Sequence, residues 1–261
     1  MKSRPPSFLD RLAQDRAQRR WARAAQEAQR MPLSLLRPLR DEAAGLRLAL
    51  DRFLHLAEGR LNRPFAGAHS TKLPLGTDWS WRPELWSGPV SPPGIAGAGN
   101  RAMIGREATV FHDCRESELT LRQLRNHEAG DQAGYGLRMD VFRFDGSFLS
   151  VVLDLPEQAA RGLRRNHVLR LDMRLDLERP LEIFARLNIR HGPNTDQLVR
   201  ELPLDGKAGV HEACVEFDLA YSKMNEKRLE KAWIDLIFEG PQMNRVTLRD
   251  MMLSRHPRAE L

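Results

Sequence analysis

The chain has 261 residues, 41% of them hydrophobic and 29% charged, with a mean hydropathy of −0.51. These values suit one large domain, or a domain with an appendage, and exclude a helical membrane protein, since no run approaches the roughly 18–20 apolar residues that cross a bilayer. The net charge of +6 sits wholly in residues 1–60, with 13 Lys and Arg against 7 Asp and Glu, while the remainder carries 28 of each.

No apolar stretch follows the basic start Met1-Lys2-Ser3-Arg4, as a secretory signal requires, so a cytoplasmic location is expected. Cys114 and Cys214 have no second cysteine or histidine at zinc-ligand spacing and are expected to be thiols.

Residues 7 to about 30 read as a helix. Ser7 and Asp10 make a capping-box-like start, and Leu9, Leu12, Ala13, Ala17, Trp21, Ala24, Ala25 and Ala28 share one stripe. Arg16, Arg19, Arg20 and Arg23 lie close together on it, a basic face for an anionic surface or acidic partner. Arginines simply facing water are the alternative. A second helix is predicted from about Leu39 to Leu61, with Pro38 as its first residue and Gly59 and Pro64 helping to end it. Its stripe of Leu39, Ala43, Leu46, Leu50, Phe53, Leu54, Ala57 and Leu61 needs a partner surface.

Between Asn62 and Asn100, 6 Pro and 6 Gly mark an irregular, extended connector that also holds Trp79, Trp81 and Trp86. Strands are then predicted over Leu119–Leu124, Leu137–Phe144, Phe148–Leu155, Val168–Leu177, Leu181–Ile189, Leu198–Leu204, Val210–Leu219, Trp233–Phe238 and Val246–Leu253. Period-2 alternation is strongest from Val168 to Arg190, where Leu169, Leu171, Met173, Leu175 and Leu177 alternate with charges, and Leu181, Ile183, Ala185, Leu187 and Ile189 repeat the pattern. Such alternation means antiparallel strands with one face on a core and one in water. Asp145-Gly146 reads as a hairpin turn, Pro156–Asn166 has room for a helical turn, and a phase shift within Val246–Leu253 suggests a β-bulge. The expected fold is mainly β, an antiparallel β-sandwich of jelly-roll or galactose-binding-like type. Its parts are a basic helical arm (1–62), a connector (63–104) and the sandwich (105–261).

Several strings are more specific. They are Asp78-Trp79-Ser80-Trp81-Arg82-Pro83-Glu84-Leu85-Trp86, Phe111-His112-Asp113-Cys114, Asp145-Gly146-Ser147-Phe148-Leu149-Ser150, Arg186 through Asn194, Trp233 through Phe238, and the tail from Arg249-Asp250 to Leu261. Together they resemble an uncharacterised bacterial family, chiefly alphaproteobacterial, known only as a domain of unknown function. That family supplies no catalytic residues. The strand layout is also similar to the galactose-binding-like sandwiches of many carbohydrate-binding modules, a likeness of architecture that does not fix function.

Trp79, Trp81 and Trp86 are candidates for an aromatic sugar platform. The alternative sets Trp79 and Trp81 on opposite sides of the segment, with at least one clamping it to the sandwich. His191-Gly192-Pro193-Asn194 is a sharp turn by composition. Around it, Asn188, Arg190, His191 and Asn194 are ligand-binding candidates at a sheet edge. Glu182, Arg186 and Arg190 are expected to face Arg170, Asp172, Arg174 and Asp176 in a cross-strand charge ladder. In His112-Asp113-Cys114 the expected roles are a buried Cys114 and an Asp113 that caps a turn. Asp140, Asp172, Glu216, Asp218 and Asp235 are carboxylates on strands, but no local motif pairs them for glycoside hydrolysis.

The chain therefore reads as a non-catalytic binding module for carbohydrate or a glycoconjugate, with no cofactor or metal. The alternative is an assembly protein whose arm docks a partner or self-associates; nucleic acid is not the expected partner.

Overall fold

The computed structural model describes residues 8–61, 73–116, 118–128, 130–241 and 243–258. The chain divides into two compact units, Met1–Leu54 and His55–Leu261.

The first unit is helical. Helix α1 spans Phe8–Glu27 and α2 begins at Leu33 and runs to Leu61. Arg20 on α1 donates to Glu42 on α2 at 2.7 Å. Trp21, Ala24, Leu36, Leu39 and Ala43 are half-buried, whereas Leu46, Leu50 and Phe53 stay exposed. Pro38 lies inside α2 rather than at its start. It falls in the second turn, where its missing N–H leaves the Ser34 carbonyl without the usual helical donor. Ser7 and Pro64 lie outside the described residues, as do the side chains of Leu9, Asp10, Leu12, Leu54, Ala57 and Leu61.

The second unit is the sandwich. Its strands open with β1 (Trp79–Trp81), β2 (Gly94–Ile95), β3 (Ala102–Ile104) and β4 (Ala108–His112). Next come β5 (Leu119–Arg125), β6 (Tyr135–Val141), β7 (Leu149–Asp154), β8 (His167–Leu177) and β9 (Ile183–His191). The last are β10 (Asn194–Glu201), β11 (Gly209–Asp218), β12 (Leu229–Phe238) and β13 (Asn244–Pro257). Two short helices, α3 (Glu84–Ser87) and α4 (Glu157–Ala160), interrupt them. One sheet has the order β11-β8-β13-β6-β5-β2, with β1 also on β13; the other has β10-β9-β12-β7-β4-β3. All pairings are antiparallel.

The alternating strands do what their pattern predicts. Leu169, Leu171, Leu175 and Leu177 of β8 and Ile183, Ala185, Leu187 and Ile189 of β9 enter one shared core. The two strands lie in different sheets, however, so the expected ladder between Arg186 and the charges of β8 does not form. Arg170 pairs with Asp172 on its own strand instead. The Asp145-Gly146 hairpin is likewise absent, because β6 and β7 belong to different sheets. Gly146 serves a close approach: a Cβ there would meet Asp113 Oδ1 at 2.6 Å and the Cys114 nitrogen at 2.9 Å. Asp113 does cap this turn, accepting from the Ser147 N–H at 2.7 Å. The expected bulge falls between Leu248 and Asp250.

The connector differs most from expectation. From Trp79 it is part of the sandwich, giving β1 and β2 to one sheet and β3 to the other. Trp86 is fully buried, and its indole N–H donates to the Leu248 carbonyl at 2.8 Å. Arg82 clamps the same stretch by donating to both oxygens of Asp250, at 2.8 and 2.9 Å.

Candidate functional site

Alternation that sends Ala232, Ile234, Leu236 and Phe238 of β12 into the core sends Lys231, Trp233, Asp235 and Ile237 to the outer face. Register then assembles a surface from separate strands. One line across the sheet reads Val199, Arg186, Asp235, Val152, Thr109 and Met103. On one side of it lie Gln197, Asn188, Trp233 and Asp154; on the other, Phe184, Ile237, Ser150 and Phe111. Phe148, 43% exposed, stands at the entry to β7. The result is a groove of about 530 Å³ lined by three aromatic rings (Phe111, Phe148, Trp233) and by Thr109, Ser150, Val152, Asp154, Arg186, Lys231, Asp235 and Ile237.

Its polar groups are mostly held in place. Arg186 donates from Nε to Asp235 Oδ2 at 2.8 Å and pairs with the same oxygen through Nη2. Asn188 donates to that oxygen at 3.2 Å and accepts from Gln197 Nε2 at 3.0 Å. The Lys231 ammonium lies 4.8 Å from the Trp233 ring centroid and 3.9 Å from Asp154. Such a surface offers apolar faces for stacking beside fixed donors and acceptors, and its volume falls in the usual range of small-ligand sites.

The predicted ligand residues are only partly brought together. Asn188 lies beside the groove but is buried, with its amide bound to Asp235 and Gln197. Arg190 is exposed and paired with Glu230 at 3.0 Å. His191 is buried, 3.3 Å from Asp196. Asn194 is exposed just past the β9–β10 turn, where Gly192 takes a φ of +60°. Trp86 cannot serve as a platform, because no part of it reaches solvent. Trp79 and Trp81 face the same side, as residues two apart on a strand must. Their rings stack at 6.5 Å and pack, half-buried, on the core, so both act as clamps. Trp233, Phe111 and Phe148 escaped sequence reasoning. The available signal was an indole on the charged phase of β12, flanked by Lys231 and Asp235.

Arg16, Arg19, Arg20 and Arg23 are exposed on α1, and Arg20 also lies over Trp21 at 5.1 Å. Of the candidate carboxylates, Asp140 pairs with Arg138, Asp172 with Arg170 and Asp235 with Arg186, the last two on opposite sheets. Among the described residues no cluster of His, Cys, Asp or Glu could hold a metal, and no helix is long and apolar enough to cross a membrane.

The other sheet carries a smaller depression, about 230 Å³, between Arg170, Asp172, Arg174, Glu212 and Cys214. Its charges are largely spent on one another. Burial and then the neighbouring Asp172 carboxylate push the Cys214 thiol up to about 11. Cys114, half-buried rather than buried, is also raised, by desolvation and its contact with Asp145. Both thiols should stay protonated at pH 8 and react with a disulfide reagent more slowly than a free cysteine, whose pKa is near 8.5. Labelling in native buffer against labelling in denaturant checks this; equal rates would contradict it.

Fold and groove together define a two-sheet antiparallel β-sandwich with an aromatic and polar groove on one outer face. The chain belongs to DUF6478, a family of unknown function whose model matches residues 1–261. No curated protein matches it in sequence. Among solved structures it is similar to the CBM22-1 xylan-binding domain of Paenibacillus barcinonensis Xyn10C, with 10% identity and a TM-score of 0.37 over 64% of this chain and 94% of that one. It is similar to the family 11 carbohydrate-binding module of Clostridium thermocellum Lic26A-Cel5E, with 9% identity and a TM-score of 0.40 over 64% and 98%. A third likeness is to the enzymatically active domain of bacteriophage CBA120 tailspike protein 4, with 6% identity and a TM-score of 0.41 over 60% of this chain. There it spans only 21% of the tailspike chain.

Proposed function

We propose that the sandwich binds carbohydrate in the groove on the outer face of β9, β12, β7 and β4. The observation that carries this reading is the groove's composition: Trp233, Phe111 and Phe148 beside Asp235, Arg186 and Ser150. Sugar rings present C–H faces that stack on aromatics and hydroxyls that need both donors and acceptors. Strands spaced about 4.8 Å apart make this four-strand width roughly 14 Å, room for a short run of sugar units. The reading requires no cofactor.

Isothermal titration against soluble neutral polysaccharides, such as xylan, mixed-linkage β-glucan and galactan, tests it. The parent protein is expected to bind at least one of them. Trp233→Ala should weaken that binding by about tenfold, the equivalent of about 1.4 kcal/mol. A parent that binds none, or a variant that binds as the parent does, would contradict it.

A second reading is favoured by the exposed Leu46, Leu50 and Phe53 on α2. Three large apolar side chains along one helix suit association with a further surface. On this reading the arm self-associates. Light scattering should then give a multiple of the chain mass, falling to the monomer in Leu50→Gln/Phe53→Gln; a monomeric parent would rule it out.

A further inference from the structure

We propose that Asp235 sets the ligand class of the groove: it accepts a hydrogen bond from a hydroxyl of an uncharged sugar unit. The groove therefore takes neutral, underivatised glycans and rejects those whose hydroxyls are blocked or replaced by carboxylates. This inference rests on the glycan reading above and deepens it.

The two oxygens of Asp235 differ. Oδ2 accepts from the Arg186 guanidinium and from Asn188. Oδ1 is buried and has no hydrogen-bond partner among the described residues, on a side chain that is itself only 4% exposed. A buried carboxylate oxygen without a donor is costly, and its fixed neighbours direct their donors to the other oxygen. The opposite side of β12 cannot supply one, since Ile234 and Leu236 are fully buried in the core. A donor therefore has to come from the groove, whose lining includes Asp235, and the side chains that cover Oδ1 must move aside to admit it.

Charge narrows the class of that donor. Arg186 and Lys231 balance Asp154 and Asp235 along the lining, so neither an anionic nor a cationic chain gains net attraction there. A ligand carboxylate brought against Oδ1 meets like charge, and a methyl ether brings no proton. A hydroxyl brings a donor and still accepts from neighbouring groups. Sites built to hydrogen-bond a hydroxyl reject the analogue lacking it far more strongly than they reject a change of apolar size.

The test takes whichever polysaccharide the full chain binds and titrates it beside its O-methylated and carboxymethylated derivatives. Only the underivatised form is expected to bind. Asp235→Asn should lower affinity about tenfold or more. Its amide oxygen turns to Arg186 and its N–H₂ then faces the groove, replacing an acceptor by a donor. The double variant Arg186→Gln/Asp235→Asn keeps a neutral hydrogen-bonded pair and should show the same loss; melting curves separate either effect from misfolding. Parent-like affinity in both variants, while Trp233→Ala binds weakly, would overturn the role of Asp235 and leave the groove intact. Equal affinity for the methylated derivative would overturn it as well. No binding by the parent to any polysaccharide removes the glycan reading and this inference with it.

Discussion

Trp86→Ala is expected to lower the melting temperature of the sandwich by roughly 6–20 °C. The side chain is fully buried, on a four-residue helix between the first strand and the body. Truncating a buried Trp costs about 3–5 kcal/mol, and each kcal/mol moves the midpoint by about 2–4 °C in a domain of this size. The variant also strips the Leu248 carbonyl of its indole donor, next to the bulge in β13. Circular dichroism melts of parent and variant measure the shift. A change under about 2 °C, the size of an ordinary surface substitution, would contradict the anchoring role.

The second large effect concerns the boundary of the domain. A chain beginning at Thr77 is expected to unfold cooperatively with a β-type spectrum, whereas one beginning at residue 105 is not. The shorter chain lacks β1, β2 and β3 and loses Trp86, leaving Leu253–Arg255 of β13 paired with β8 on one side only. It also loses Arg82, whose partner Asp250 is largely buried, and a buried charge left unpaired is strongly destabilising. Asp78, whose carboxyl the Arg255 guanidinium holds below the usual range, would be missing too. Thermal melts of the two chains settle the matter. Equal cooperativity would show that the connector is dispensable; failure of the longer chain would show that the helices complete its core.

Alternation made most of the sandwich legible. It located every strand from β5 onward, most cleanly β8 and β9, whose inward residues are those the pattern marks; β10 buries only Leu198, and β13 is buried on both faces. What alternation cannot carry is the choice of sheet. Val168–Leu177 and Leu181–Ile189 present the same pattern whether they pair as a hairpin or face each other across the core, and the Arg179-Pro180 link serves both. The same ambiguity made Asp145-Gly146 look like a hairpin turn when it is a crossing between sheets. Strands β1 to β4 were missed because two to five residues are too short to show a period.

The groove was harder to see for a related reason. Its residues come from strands far apart in sequence, and only the register β9-β12-β7-β4 makes Arg186, Asp235, Val152 and Thr109 neighbours. Asn188, on the best-patterned strand, sits next to Trp233 but is buried and outside the groove lining. The three connector tryptophans drew attention by their number. Burial of Trp86 and the packing of Trp79 and Trp81 on the core show that density of aromatics in a Pro- and Gly-rich segment can mark a clamp as readily as a platform. A lone aromatic on the polar phase of a strand, as at Trp233, was the more useful sign.

The most direct measurement is a crystal structure of the full chain with an oligosaccharide cut from whichever polysaccharide it binds. Ordered sugar density is expected on the outer face of β12, with a ring against Trp233 and a hydroxyl within about 3 Å of Asp235 Oδ1. Sugar bound on the opposite sheet or on the helical arm, with the groove between Trp233 and Phe111 left untouched, would contradict it.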